Sequence, residues 1–536
     1  MNEQDIAQAV EKVLSKYTNV TASNAEPIAS TSGVNLASIV SQALTADRVK
    51  QQTLKSESAL SCNIESNVES IVSQILAEKQ VQPQSVSSQN ITQGSTEYLG
   101  CFASMEEAIS ATSQAQVQYR HCTMGDRASF VQGIRDVFTQ ADVLEKISRM
   151  AVEETGMGNV EDKLIKNRIA ATKTPGTEDL ATSALSGDAG LSLTEFSAYG
   201  VIGSITPTTN PTETIINNSI GMLAAGNTVV YSPHPRSRNV SLVTVDLINR
   251  KLAELGAPAN LVVTVLEPSI DNTNAMMNDP RVNMLVATGG PSIVKTVMST
   301  GKKAIGAGAG NPPAVVDETA NIEKAAKDII NGCAFDNNLP CIAEKEVIVV
   351  NDVADYLIHC MKKSGAYLLC DRQKIQQLQS LVLNEKGTGP NTAFVGKSAR
   401  YILEKLDIQV GDDVKVILLE TERNHSFVVH ELMMPILPVV RVENVDEAID
   451  LAIKVEHSNR HTAIMHSTNV EKLTKMARLI QTTIFVKNGP SYAGIGVGGE
   501  GHTTFTIAGP TGEGITSARS FARYRRCVMV EALNIR

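Results

Sequence analysis

The chain lacks most of the features that would classify it at a glance. No apolar run approaches the ~20 residues of a membrane span, and the first 20 residues carry early acidic side chains instead of a continuous apolar core, so no secretory signal is read there. The eight cysteines form no CxxC pair and no His/Cys cluster at zinc-ligand spacing, so no metal site is expected. In a chain of this length they read as reduced, cytosolic thiols. A surplus of basic residues is also missing: the net charge is −9, which argues against a general nucleic-acid binder. No GxGxxG run joins a strand to a helix, and no GxxxxGK run is followed by Ser or Thr, so the two commonest phosphate-binding fingerprints are absent. Tryptophan does not occur, although the hydrophobic fraction of 42% is ordinary for a soluble protein.

What is present is enough chain, at 536 residues, to bury a large core in two or more domains. Residues 1–97 stand apart, rich in Ser, Thr, Gln and Asn. Three short pieces there carry one apolar stripe at helical spacing: Ile6, Val10, Val13, Leu14 and Tyr17; Leu36, Ile39, Val40, Ala43 and Leu44; and Ile64, Val68, Ile71, Val72, Ile75 and Leu76. The linkers between them have turn and disorder composition. The second and third pieces share Ser38-Ile-Val-Ser-Gln-Ala-Leu44 and Ser70-Ile-Val-Ser-Gln-Ile-Leu76, which reads as a duplicated helix. Helices this short are marginal alone in water, so each stripe needs a partner, either a groove on another protein or this chain's own body.

From about Tyr98 the pattern becomes alternating α/β. Helices are expected over Met105–Ala115, Arg127–Phe138, Ala141–Glu154, Glu213–Ala225 and Val240–Leu255, and strands over Val201–Thr206, Thr228–Tyr231, Leu261–Leu266 and Val282–Ala287. The second half repeats the alternation, with strands at Glu346–Val350, Ala393–Val395, Ile436–Val442, Thr462–His466 and Ile484–Val486, and helices at Ala354–Ser364 and Lys374–Leu383. This order argues for a parallel, doubly wound sheet, whose ligands bind outside the carboxyl ends of the strands. Unusual turns fall at those ends: Thr206-Pro207 to Pro211, Ser232-Pro233 to Pro235, and Thr288-Gly289-Gly290-Pro291. The last precedes a helix, whose N-terminus suits a pyrophosphate. Gly509–Gly514 reads as a loop. Arg519, Arg523, Arg525 and Arg526 form the one basic cluster, read as a solvated face or subunit contact.

Several runs together resemble the aldehyde dehydrogenase superfamily, and in particular its CoA-acylating branch from bacterial microcompartments. They are Pro207–Thr214, Leu223–Thr228, Ser232–Pro235, Ala287–Pro291, Gly306–Asn311, Asn338-Leu-Pro-Cys341, Phe485–Tyr492 and Glu513–Arg519. The resemblance covers roughly residues 98–536. It implies an α/β fold with a Rossmann-type dinucleotide domain over 98–312, with arm strands near 185–197, and a catalytic domain over 313–500. Residues 501–536 would return to the dinucleotide domain and to a small oligomerisation arm that joins subunits into homodimers or homotetramers. The tail of 1–97 matches the short helices by which such enzymes are targeted to shell proteins, placing the chain in a microcompartment lumen.

The resemblance makes Cys341 the nucleophile and Asn210 the amide that, with the backbone N–H of Cys341, stabilises the oxyanion. The hydrolytic branch holds that asparagine one residue earlier, where this chain has Thr209. Cofactor contacts are carried over to Glu431 at the nicotinamide ribose, and to Thr206, Pro207, Ser232, Pro233, Thr288, Gly289, Gly290, Gly306 and Ala307. Ser232 and Pro235 replace the lysine and glutamate that grip the adenosine ribose in the hydrolytic branch; NAD is the expected cofactor. In that branch a glutamate activates water at the position of Ala307, or of Gly306 on a one-residue slip. No carboxylate occurs from Ala304 to Val316. Without that base a thiol, coenzyme A, is the natural acceptor of the thioester. The expected reaction is therefore NAD-dependent, CoA-acylating oxidation of a short-chain aldehyde, with propanal ahead of acetaldehyde and lactaldehyde. Alternatives are a hydrolytic dehydrogenase, with a base such as His430 or His457, and a non-catalytic shell-organising scaffold.

Overall fold

The computed structural model describes residues 98–535. The three apolar-periodic pieces of the tail lie outside the described residues. Two parallel sheets dominate the rest. The first has six strands in the spatial order Cys101–Phe102, Val262–Val265, Thr228–Pro233, Val201–Thr206, Val282–Thr288, Lys303–Ala307. The second has seven, ordered Ala366–Leu368, Val416–Glu420, Ile436–Val442, Glu346–Val350, Pro313–Val316, Thr462–His466, Ile484–Lys487. Parallel strands covered on both faces read as unbroken apolar runs. Residues 347–350 within Glu346–Val350 and 463–465 within Thr462–His466 show this, and both strands are buried throughout.

The chain passes from the first sheet to the second through Gly308-Ala-Gly-Asn-Pro312, leaving the edge strand Lys303–Ala307 and entering the interior strand Pro313–Val316. Both sheets contribute to one continuous apolar core. Helix Pro211–Ala224 lies inside it with all its residues buried. Its polar side chains are therefore partnered: Asn217 Nδ2 donates to Thr174 Oγ1 at 2.8 Å, and Ser219 and Tyr231 share a hydroxyl contact of 2.9 Å. Pro211 suits the first turn of this helix, where no N–H is needed, and Asn210 is its N-cap residue.

A three-stranded antiparallel sheet pairs Gly190–Ala198 with Ser183–Gly187 on one side and with Ala522–Val530 on the other. Leu185, Tyr524, Val528 and Val530 are exposed on it. Arg523 turns back to donate to the Ala198 carbonyl at 2.9 Å, while Arg525 and Arg526 stay exposed.

One expectation changes. Ala393–Val395 is a turn, not a strand: Asn391 Oδ1 accepts the Ala393 N–H at 3.1 Å, and Gly396 takes a left-handed φ of +71°. Gly509–Gly514 closes a small hairpin, Ile507–Ala508 with Gly514–Ile515, and its Thr511 Oγ1 accepts the Gly306 N–H at 3.1 Å, so this loop packs on the end of the first sheet. Helix Val160–Thr172, absent from the sequence reading, proves central to the site.

Candidate active site

Cys341 follows an unusual stretch of backbone. Asp336, Asn337 and Asn338 have φ of +48°, +54° and +66°, three consecutive left-handed residues without a glycine. Asp and Asn tolerate this region better than other side chains, but three in a row must be held by their surroundings. Each is. The Asp336 N–H donates to Asp162 Oδ2 at 2.7 Å, and Asn337 Nδ2 donates to the Gly396 carbonyl at 2.9 Å. Asn338 Nδ2 reaches the carbonyls of Cys333 (2.9 Å) and Glu344 (3.0 Å), while its Oδ1 accepts from Lys345 Nζ at 2.7 Å. The turn is thus over-determined, which fixes where Cys341 emerges.

The glycine-rich crossover packs on Cys341 itself. A Cβ on Gly310 would sit 2.6 Å from the Cys341 carbonyl oxygen and 3.0 Å from His461 Cγ, so only glycine fits. The Gly310 N–H is donated to the Glu431 carboxylate. Burial pushes Glu431 up to about 7, against the pull of Lys345 and of that N–H. Burial also pushes the Cys341 thiol up to about 12; the Glu431 charge adds to this, and Lys345 and Lys166 oppose it. His461 is buried and held neutral, its pKa lowered to about 4 by desolvation and by Lys345. Its Nδ1 meets Thr462 Oγ1 at 2.9 Å, and Nε2 has no partner among the described residues. His457 Nε2 lies on the Val429 carbonyl at 2.9 Å, and burial together with the His457 charge lowers the pKa of His430.

Three charged residues follow Cys341 into the interior. Glu344 is fully buried, accepts the Ser491 N–H at 2.8 Å and hydroxyl at 2.7 Å, and is pushed up to about 7 by desolvation. Lys345 donates to Asn338 and, at 3.4 Å, to the Pro340 carbonyl. Glu346 opens the strand Glu346–Val350 with neither carboxylate oxygen partnered among the described residues, and burial raises its pKa well above the ordinary value.

Asn210 is buried at the N-terminus of helix Pro211–Ala224. Its Oδ1 accepts from Lys166 Nζ at 2.6 Å, and its Nδ2 contacts Thr209 Oγ1 at 3.3 Å. Lys166 belongs to a group of four fully buried charges. It lies 2.5 Å from Asp336 and 3.0 Å from Glu213; Lys163 lies 3.1 Å from Asp336 and donates to the Thr209 carbonyl at 3.2 Å. Two lysines balance two carboxylates. The group ties helix Val160–Thr172, the start of helix Pro211–Ala224 and the left-handed turn before Cys341 into one unit.

The remaining candidates cluster at the strand ends of the first sheet. Thr206 pairs with Pro233, Ile205 with Ser232, Thr288 with Ala307 and Ala287 with Gly306, and the Gly289 N–H reaches the Ala307 carbonyl at 3.0 Å. Pro207 follows the Val201–Thr206 strand directly. Ser232 Oγ meets Thr273 Oγ1 at 2.8 Å, and Thr288 Oγ1 meets Thr506 Oγ1 at 2.9 Å. Thr206 Oγ1 is buried and without a partner among the described residues. Helix Pro291–Met298 starts at Gly290 with no side-chain cap, and a Cβ on Gly290 would meet nothing within 4 Å. These strand ends therefore present open backbone and one orphaned hydroxyl on the carboxyl side of the sheet.

Sequence reasoning missed Lys163, Lys166, Glu213, Asp336, Lys345, Glu346 and His461. Some left a signal. Asp336-Asn-Asn338 is a run of the residue types that accept left-handed backbone, and Glu344-Lys-Glu346 is a charged run that leads straight into the apolar residues 347–350. Lys163 and Lys166 gave none, since lysines on a helix are ordinarily solvated.

Comparison with known proteins identifies the family. The profile of the aldehyde dehydrogenase family matches residues 95–515. A propanal dehydrogenase (CoA-propanoylating) of Salmonella typhimurium is 52% identical over 438 residues, 82% of this chain and 93% of that one. The crystal structure of Rhodopseudomonas palustris propionaldehyde dehydrogenase with bound propionyl-CoA is 72% identical, with a TM-score of 0.81 over 82% of this chain and 96% of that chain. A propionaldehyde dehydrogenase from the fucose utilisation bacterial microcompartment of Clostridium phytofermentans is 49% identical, with a TM-score of 0.80 over 82% of this chain and all of that one (100%). The chain therefore belongs to the aldehyde dehydrogenase family, oxidoreductases that act on aldehydes.

Proposed function

We propose that the chain catalyses CoA-acylating oxidation of a short-chain aldehyde, propanal foremost, with NAD as oxidant. The observation that carries the reading is Cys341, presented by a fully tethered turn against a glycine crossover that contributes no carboxylate. Cys341 Sγ adds to the carbonyl carbon, and the oxyanion is met by its own backbone N–H and by Asn210 Nδ2, the face of that amide left open by Lys166. The adduct carbon then loses hydride and a Cys341 thioester remains. CoA thiolate attacks it, and Cys341 leaves as thiolate with acyl-CoA formed.

The strand ends fit a dinucleotide: the orphaned Thr206 Oγ1, the uncapped start of helix Pro291–Met298 and the small Gly289, Gly290, Gly306 and Ala307 would line its phosphates. Bound there, NAD supplies the hydride acceptor. No carboxylate stands at Ser232–Pro235 to reject a 2′-phosphate. Glu431, whose charge acts on Cys341, would hold the nicotinamide ribose.

One observation favours a hydrolytic second reading. The Glu431 carboxylate reaches the surroundings of Cys341 from a segment other than the glycine run, and a carboxylate there could activate water. The test is NADH formation from propanal and NAD with and without CoA. Turnover is expected to depend on CoA and to yield propanoyl-CoA. Equal turnover without CoA, giving propanoate, would establish the hydrolytic reading.

We further propose that the tail of residues 1–97 docks the enzyme on microcompartment shell proteins, on the strength of its repeated apolar heptapeptide. The exposed apolar face of the three-stranded sheet joins subunits into dimers or tetramers. Deleting residues 1–80 should leave kcat nearly unchanged and abolish co-sedimentation with shells. Loss of soluble activity on that deletion would instead mean that the tail packs on its own body.

A further inference from the structure

An asparagine amide is nearly symmetric in shape, and its terminal torsion is soft. As an oxyanion donor it is useful only if Nδ2, and not Oδ1, faces the reacting atoms. Something must choose between the two orientations. In this protein the choice is made by a cation. Lys166 Nζ has donors only, and it lies 2.6 Å from Asn210 Oδ1. Rotating the amide by half a turn would set N–H groups against an ammonium ion.

Lys166 is itself held in place. Asp336 at 2.5 Å and Glu213 at 3.0 Å grip it, all three side chains are fully buried, and Lys163, 3.1 Å from Asp336 and 4.0 Å from Glu213, supplies the second positive charge. Burial works against the Lys166 charge, but the two carboxylates outweigh it and hold the ammonium protonated. The same ammonium is close enough to Cys341 for its charge to favour the thiolate, alongside Lys345 and against Glu431. One side chain thus touches the oxyanion donor, acts on the nucleophile, and is anchored through Asp336 to the turn that delivers that nucleophile.

Resting on the acylating reading above, we propose that Lys166 is a positioning residue of the reaction: it fixes the Asn210 amide so that Nδ2 is offered to the oxyanion. A structural role alone, as a staple between helices, makes a different prediction. The two are separated by a double-mutant cycle on the full-length chain with propanal, NAD and CoA. Asn210→Ala is expected to lower kcat by about 100- to 1000-fold. Lys166→Met is expected to lower kcat by about 10- to 100-fold with little change in KM for propanal. In the Asn210→Ala background the same Lys166→Met change should alter kcat by less than about threefold, because the group it positions is gone. Losses that multiply in the double variant would overturn the proposal, as would a Lys166→Met enzyme that keeps full kcat. If Lys166→Met does not fold, as judged by its thermal transition, the charge-balanced Lys166→Met/Glu213→Gln variant enters the same cycle with the same two outcomes. Wild-type enzyme that makes no acyl-CoA would sink the acylating reading first, an outcome distinct from multiplying losses in an active enzyme.

Discussion

Replacing Cys341 with alanine is expected to lower aldehyde oxidation by at least about 10⁴-fold while leaving the fold and NAD binding intact. The magnitude follows from the role: without the sulfur there is no covalent adduct from which hydride can leave, and nothing else in the site replaces it. Cys333 is not a substitute. It is fully buried, and its sulfur contacts Asn338 Nδ2 at 3.4 Å. The thiol of Cys341 should behave as the site electrostatics dictate. Burial and Glu431 push it up to about 12, so in the free enzyme it is protonated at neutral pH. The thiolate fraction grows as pH rises toward that value, and alkylation of the free enzyme by iodoacetamide should be slow near pH 7 and accelerate steadily through pH 9. Stoichiometric alkylation that is already fast and flat at pH 7 would show that the cationic side chains Lys345 and Lys166 outweigh burial.

The second large effect is on stability. Asp336→Ala removes one of two carboxylates that balance two fully buried lysines. Breaking a buried ion group by deleting one partner leaves an uncompensated charge and costs about 3–5 kcal/mol. Asp336 also accepts the Asn159 N–H at 2.9 Å, and a Cβ on Gly158 would fall 2.0 Å from its Oδ1, so the chain is shaped closely around this side chain. Denaturant unfolding should show a loss of that size, accompanied by a drop in kcat, because the left-handed turn before Cys341 loses the carboxylate that ties it to Lys163, Lys166 and the Asn159 N–H. A loss below about 1 kcal/mol would mean that the lysines relax to solvent or deprotonate at little cost.

The fold was legible where burial writes itself into composition. Val201–Thr206, Glu346–Val350, Ile436–Val442 and Thr462–His466 were read to the residue, because a strand covered on both faces is a bounded apolar run. The rule failed where polarity and burial part company. Helix Val160–Thr172 was invisible because its inward face carries Lys163, Lys166 and Asn167, which a periodicity of apolar residues does not register. Ala393–Val395 misled in the opposite sense. Phe394 and Val395 are buried, but Asn391 and Gly396 bend the backbone into a turn around them. At the candidate site, Cys341, Asn210 and the strand-end glycines were singled out through their motifs. Their supports were not, since Asp336, Glu213 and the two lysines are brought together only by tertiary packing, from segments up to 173 residues apart. The glycine run was read for the carboxylate it lacks. Its fit against the Cys341 carbonyl, which requires Gly310, could be seen only in three dimensions.

The central claim is that Cys341 forms a thioester that waits for a thiol. It is tested most directly by mixing the enzyme with propanal and NAD in the absence of CoA, quenching in acid, and weighing the Cys341 peptide. The account predicts a stoichiometric burst of NADH, a propanoyl group on Cys341 that persists, and its discharge as propanoyl-CoA when CoA is added. An unmodified Cys341 peptide with continuing NADH production and free propanoate would contradict it.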